Sequence, residues 1–366
     1  MLKSDTTKYQ LLEFIGICGE FPALSLNRFF TSPSYAEKVI TELKRDKLIR
    51  THYKDKLRGY RLTKRAKEML LSANPDRFTC YLTGNTETNL IRSEVPKRLR
   101  LHQKVNTYLT LLHAGVPIFA DEKPALFHPV SEAITLQNLP LFYSSREIKE
   151  LGSVTTKIKN SRSVGILMAS HCVYAIYNTG GSVLKWEYKT EVRLNAFLQH
   201  YLHEKPYSGP PKIRAIMLGD SMDMAYRLMT STGGYRKSLF MLDTAFEHFH
   251  YLPNNAYGET LLRLLSNPQI IKQLNQLLLS DHVGKKEGFP AVHDAVDTEG
   301  RPTLLAYDFD MLRINKFNTG LKVFRHTGNL ICFDFQIPCL KEYITADVHF
   351  SSIDFHKFRR GFFHET

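Results

Sequence analysis

The chain has 366 residues, of which 43% are hydrophobic and 23% charged, and a formal net charge of +13. That length allows two domains with a sizeable core, and the balance is the ordinary one of a soluble globular protein. No apolar run approaches a membrane span, the first residues lack a signal peptide's apolar stretch, and the five scattered cysteines include no Cys-x-x-Cys pair, so reduced thiols in a cytoplasm are expected rather than a disulfide framework.

A first helix is expected over Lys8 to Cys18, with Leu11, Leu12, Phe14 and Ile15 facing inward. Leu24 to Phe30 is a short apolar-periodic segment, broken at Ser32-Pro33-Ser34. Ser32 is a good N-cap and Pro33 suits a first helical position, so a second helix should start there and carry the segment Tyr35 to Asp46, with Val39, Ile40 and Leu43 on its inner face. Leu48 to Tyr53 and Tyr60 to Leu62 then read as a hairpin with its tip at Lys54 to Gly59, and Thr63 caps a helix through Leu71. Helix, turn, helix, two-stranded ribbon, helix is the order of a winged helix-turn-helix, which reads the DNA major groove beside a basic hairpin. The outward face of the second helix nominates Ser34, Tyr35, Lys38, Thr41, Lys44 and Arg45 for DNA recognition. The hairpin and its flanks nominate Arg50, Lys54, Lys56, Arg58, Arg61 and Lys64 for the phosphates. Charge points the same way, since residues 1–110 hold 21 Lys/Arg against 11 Asp/Glu and so carry most of the net charge.

Phe78 to Asn89 reads as a polar connector. Pro96 then opens a long helix, Lys97 to Ala114, with Leu99, Leu101, Val105, Leu109 and Leu112 along one side and Arg98, Arg100, His102 and Lys104 around its start. The expected division is a DNA-binding domain over residues 1–75, a connector and bridging helix over 76–115, and an αβ domain over 116–366. Within the last, Ser163 to Ala169 and Cys172 to Tyr177 look like a hairpin, with a loop at Asn178 to Ser182 and a helix from Leu184 to His203. Lys212 to Leu218 reads as a buried strand, Ser221 to Thr230 as a helix, Ser238 to Leu252 as strand-like and Glu259 to Ser280 as helical. The tail after Arg301 has several strand-like stretches, including Leu330 to Phe335. This alternation predicts a mixed sheet with helices on its faces, and an α+β chain overall.

Three constellations bear on chemistry. Glu187-Tyr188-Lys189 has the E-x-K form of a PD-(D/E)-x-K nuclease, where paired acids hold a divalent ion and a lysine polarises the attacking water. The hairpin from Ser163 to Tyr177 that should supply the first acid contains none, and Glu187 with Glu191 reads as a solvated charge cluster on a helix. His248-Phe249-His250 has the His-apolar-His form of single-strand nickases, with both rings on one strand face; a third ligand and a nucleophilic tyrosine would be needed, and Tyr226 and Tyr257 have no distinguishing context. Gly219-Asp220-Ser221 reads as a helix cap, and no nucleotide-binding loop of the Gly-x-x-x-x-Gly-Lys form occurs. The sequence therefore nominates no catalytic residue, no metal ligand and no cofactor.

The order of parts resembles the replication-relaxation family of plasmids and integrative conjugative elements. The likeness lies in the N-terminal winged helix, a long helix of the Arg98-Leu-Arg-Leu-His-Gln-Lys-Val-Asn106 kind and a nuclease-like αβ core; it spans Lys8 to Ser280 and leaves the tail uncovered. It implies a restriction-endonuclease-like C-terminal domain, here degenerate because Ser163 to Tyr177 and Asn178-Thr-Gly-Gly181 lack the acids often found there. The resulting expectation is a sequence-specific, double-stranded DNA-binding accessory protein of a mobile element. It would act at an origin of transfer or replication to recruit a relaxase or replication initiator, with a second copy of the chain as a further partner. A metal-dependent nuclease or nickase and a winged-helix transcriptional regulator are the alternatives.

Overall fold

Thr6 Oγ1 accepts from the Tyr9 amide and opens helix α1 (Thr7–Cys18), which ends at Gly19 with a φ of 86°. The computed structural model describes residues 6–126, 134–135, 137, 139–149, 161–202, 206–207, 209–284 and 291–364. It is mixed α+β, with 14 α-helices and three sheets among the described residues. The chain divides into two units, Met1–Glu132 with Arg146–Glu150, and Ala133–Ser145 with Leu151–Thr366.

In the first unit, β1 (Glu20–Pro22) and a 3₁₀ turn lead to the short α2 (Leu26–Phe29). Ser32 Oγ accepts from the Tyr35 amide and Pro33 takes the first position of α3 (Pro33–Arg45), as the cap and proline predict. Ala36, Val39, Ile40 and Leu43 form its buried face. Strands β2 (Ile49–Lys54) and β3 (Leu57–Leu62) pair antiparallel from Ile49↔Leu62 to Lys54↔Leu57, and β1 joins β3 to complete the order β1-β3-β2. The turn is two residues, Asp55 and Lys56, both with positive φ (52° and 61°). Gly59, expected at the tip, lies within β3, where a Cβ would come 2.4 Å from the Glu20 carboxylate. Thr63 caps α4 (Lys64–Ala73) through the Ala66 amide.

The expected connector and bridge are corrected. Asn74 caps α5 (Pro75–Leu82), which buries Phe78, Tyr81 and Leu82. Asn-Pro reads as a helix end, but the same pair is an N-cap followed by a first-turn proline. The long helix α6 (Val95–His113) belongs to the first unit and packs on α1 and β1. Its buried face is Arg98, Leu101, His102, Lys104, Val105, Tyr108 and Leu109, whereas Leu99 and Leu112 are 40% and 41% exposed. The expected Leu101, Val105 and Leu109 are buried, and a hydrophobic count misses the rest of the face because three of its members are cations or a histidine with buried partners.

In the second unit, β4 (Leu141–Ser144) precedes α7 (Ser145–Lys149), most of which belongs to the first unit. The expected hairpin is β5 (Gly165–Ala169) with β6 (Cys172–Gly180), buried throughout; β6 extends through the predicted loop to Gly180. Helix α8 (Tyr188–Tyr201) starts after Glu187 rather than at Leu184, and the predicted end at His203 lies outside the described residues. It leads to β7 (Ile213–Gly219), parallel to β6, then α9 (Met222–Met229) and β8 (Phe249–Pro253), parallel to β7, giving the order β4-β5-β6-β7-β8. Of the stretch Ser238 to Leu252, only the end from Phe249 is in a named strand. Asn267 and Pro268 split the predicted helix into α10 (Ala256–Ser266) and α11 (Pro268–Leu278).

The tail forms a second sheet. Strands β9 (Ala295–Val296), β10 (Pro302–Leu305), β11 (Gly328–Phe333) and β12 (Val348–Ile353) lie in the order β12-β11-β10-β9. The last three are parallel, connected by α12 (Met311–Phe324) and α13 (Ile337–Tyr343), and α14 (Phe355–Phe363) follows. Parallel neighbours need such crossovers, which a reading of strands alone does not supply. Among the described residues no helix is long and apolar enough to cross a membrane.

Candidate nucleic-acid interface

Helix α3 turns its polar side outward. Ser34, Tyr35, Lys38, Thr41 and Arg45 are exposed, with the Tyr35 ring edge-on to Phe30 at 5.7 Å, which holds it at the start of the helix. Lys44 is half-buried, its ammonium 5.4 Å from the centre of the Tyr60 ring. On the hairpin and its flank, Arg50, Lys54, Lys56, Arg58 and Lys64 are exposed. Lys64 reaches Glu68 only at 3.8 Å and Arg45 reaches Asp46 at 3.4 Å, weak surface pairs that leave their charge in solvent. Register places Tyr53, 68% exposed, opposite Arg58, so an aromatic ring joins the cations near the tip. Tyr53 is not among the residues that the sequence pattern nominates.

Arg61 is a correction. It is 4% exposed and its Nε donates to Glu20 Oε2 at 2.6 Å, so its charge is committed to the interior. Alternation along β3 turns Arg58 and Arg61 to different environments although both look like wing cations in the sequence. Glu20 also receives Arg98 Nη2 at 2.6 Å and pairs with His102 Nε2 at 2.8 Å. Burial alone would raise Glu20's pKa; hydrogen bonds from His102, Arg98 and Arg61 outweigh it and hold the carboxyl at about 2. Arg98, with no exposed surface, further donates to the carbonyls of Lys54, Leu57 and His52 at 2.9, 3.0 and 3.3 Å. One guanidinium thus fixes the hairpin tip to α6. The same helix bonds α2 through Arg28 to Thr110 Oγ1 at 3.0 Å, and the end of α1 through Lys104 to the Ile17 carbonyl at 2.8 Å. Helix α6 thus braces the hairpin, α2 and the end of α1.

A cavity of 800 Å³ opens beside β2, lined by Arg50, Arg92, Lys97 and Arg100 with Glu87 among its walls. It extends the basic surface past the hairpin. The sequence separated these residues by a segment read as a connector, so the grouping was not legible there.

The residues singled out for catalysis fare differently. Glu187 and Lys189 are exposed, and Glu187 sits in extended backbone at the cap of α8, not inside the helix. Glu191 is no solvated partner: it is 1% exposed, accepts from the Tyr177 hydroxyl and lies 3.1 Å from Ser161 Oγ, and burial raises its pKa. Tyr257 stacks on Phe335 at 4.2 Å. Among the described residues, one group has metal-ligand geometry: His248, His250 and Asp310, whose ligand atoms lie within 4.8 Å of one another. Asp310, 62 positions from His248, is an acid that no local spacing connects with the two histidines.

Compared with protein-family models, with curated proteins and with solved structures, the chain has no match in any of the three.

Proposed function

We propose that the first unit is a winged helix-turn-helix that binds double-stranded DNA, with α3 as recognition helix and the β2-β3 hairpin as wing. The observation that carries this reading is the coincidence, on one unit, of an outward α3 face bearing Ser34, Tyr35, Lys38 and Thr41 with an exposed hairpin bearing Lys54, Lys56 and Arg58. The first turn of such a helix meets base edges while the wing meets phosphates. The basic cavity at Arg50, Arg92, Lys97 and Arg100 supports a longer backbone contact.

In the second unit, three antiparallel strands β4-β5-β6 followed by α8 and the parallel β7 support a nuclease-like topology. No carboxylate lies on β5 or β6, so that reading carries no nuclease centre of the two-acid type. On the resemblance of the chain's order of parts to the replication-relaxation family, its proposed role is that of an accessory factor of a mobile element that binds an origin of transfer or replication and recruits a relaxase or replication initiator. The test is a binding titration on origin-containing and scrambled duplexes at several salt concentrations. Replacing Lys54, Lys56 and Arg58 together by Ala should weaken binding to both and reduce the salt slope by roughly 3. Changes at Ser34, Tyr35 and Lys38 should instead narrow the difference between the two duplexes. If the wild-type chain binds neither duplex with a salt-dependent affinity, the proposal is lost.

A further inference from the structure

Edge strand β8 meets the start of α12 in an antiparallel bridge between His250 and Asp310, reinforced by the Tyr251 amide on the Phe309 carbonyl at 3.0 Å. Asp310 is 1% exposed and caps α12. Its Oδ1 accepts from the Leu312, Phe249 and Arg313 amides at 3.1, 3.2 and 3.4 Å, which fixes the carboxylate and leaves Oδ2 against His248 Nδ1 at 2.5 Å. A carboxylate accepts, so His248 Nδ1 carries the hydrogen. The Asp308 carbonyl likewise accepts from His250 Nδ1 at 3.1 Å. An oxygen of one short segment, Asp308 to Asp310, therefore orients each ring, and the rings lie nearly parallel, 17° apart with centroids at 5.9 Å. An oxygen that holds one nitrogen of an imidazole and leaves the other to ligate, as the Asp308 carbonyl does for His250, is the usual surrounding of a histidine ligand.

His250 is 1% exposed, yet its Nε2 has no hydrogen-bond partner among the described residues. A buried lone pair left unmet is destabilising, and such a cost calls for a reason.

We propose that His248, His250 and Asp310 form a binding site for one divalent transition-metal ion of the zinc, cobalt or manganese kind. Two imidazoles and one carboxylate are a mixed nitrogen-oxygen donor set, which suits those ions better than calcium or magnesium, whose sites are built from oxygens. Binding gives up the hydrogen bond between His248 and Asp310 and leaves Asp310's amide contacts through Oδ1 in place. Three protein ligands leave coordination positions open, and the His248 side chain, 21% exposed, places the group at the surface. Asp308, whose Oδ2 is 3.5 Å from His250 Nδ1, and the Asp294–Arg313 pair at 2.6 Å surround it with further charged groups.

The site is independent of the proposed DNA contact, and its test uses no DNA. The full chain, stripped with a chelator, is titrated with Co²⁺ followed by visible absorption, and with Zn²⁺ followed by calorimetry and thermal melting. One equivalent should bind, produce ligand-field bands and raise the melting temperature. His248→Gln and Asp310→Asn should each weaken Co²⁺ binding at least tenfold. Asparagine still caps a helix, and His248 is partly exposed, so both variants keep the fold; melting of the metal-free proteins checks this. His250→Ala, at a buried position, is the third arm. Absence of a cobalt spectrum in the wild-type chain overturns the proposal, and so does unchanged affinity in folded His248→Gln and Asp310→Asn.

Discussion

Glu20 shows how much rests on single side chains. Two arginines and a histidine converge on a carboxylate with no exposed surface. Glu20→Gln leaves two buried guanidiniums short of their counter-charge, and the expected loss in the first unit's stability is about 3–5 kcal/mol, measured by urea denaturation. The pH dependence has a definite sign. Glu20's folded pKa of about 2 lies below its ordinary 4.5, so its contribution is full above pH 4.5 and is lost as pH falls toward 2. The acid limb of the wild-type stability curve should flatten in Glu20→Gln; identical limbs would remove Glu20 from that role. Arg58 and Arg61 give a paired contrast. Under the proposed DNA contact, Arg58→Ala should cut the salt slope of binding by about 1 with stability within ~0.5 kcal/mol of wild type. Arg61→Ala should instead lower the midpoint of denaturation. The two look alike in the sequence because both are arginines of one basic hairpin. What separates them is the register of β3 against β1, where Arg61 faces Glu20 across the pair.

At the scale of elements, the hairpin turn carries a cost. Asp55 and Lys56 both adopt left-handed backbone, which two-residue turns of this kind impose and which glycine meets without a Cβ penalty. Lys56→Gly should stabilise the first unit by roughly 1 kcal/mol, read from the denaturation midpoint, and should lower the salt slope by about 1 by removing a tip cation. A stabilised variant with an unchanged slope would place Lys56 away from phosphate. The boundaries of α3 and α4 were legible in the sequence because Ser32, Pro33 and Thr63 act on atoms three residues away. The buried face of α6 was legible only in Leu101, Val105 and Leu109, since Arg98 and Lys104 look like surface residues until Glu20 and the Ile17 carbonyl stand next to them. The predicted helix over Glu259 to Ser280 overlooked a local signal: Asn267-Pro268 caps a second helix within the same apolar pattern.

On the scale of the molecule, the first unit extends well beyond residue 75. Helix α6 supplies Arg98 and His102 to Glu20, and Lys123 pairs with Glu147 at 3.0 Å. A fragment of residues 1–75 should therefore lack a cooperative thermal transition, while one of residues 1–150 should melt as a unit by circular dichroism. Equal midpoints for the two fragments would show that the segment from α1 to α4 stands without its brace. The sequence by itself determined the local elements of the N-terminal region, the concentration of positive charge there and the β5-β6 hairpin, because caps, turns and apolar periodicity act over a few neighbouring residues. Only the tertiary structure decided that Arg61 is interior, that α6 belongs to the first unit, and that Asp310 lies beside His248. Glu20 and Arg98 are 78 positions apart, and His248 and Asp310 are 62. Pairings at such separations are set by strand register and by which elements pack together, and neither is written in the spacing of the residues themselves.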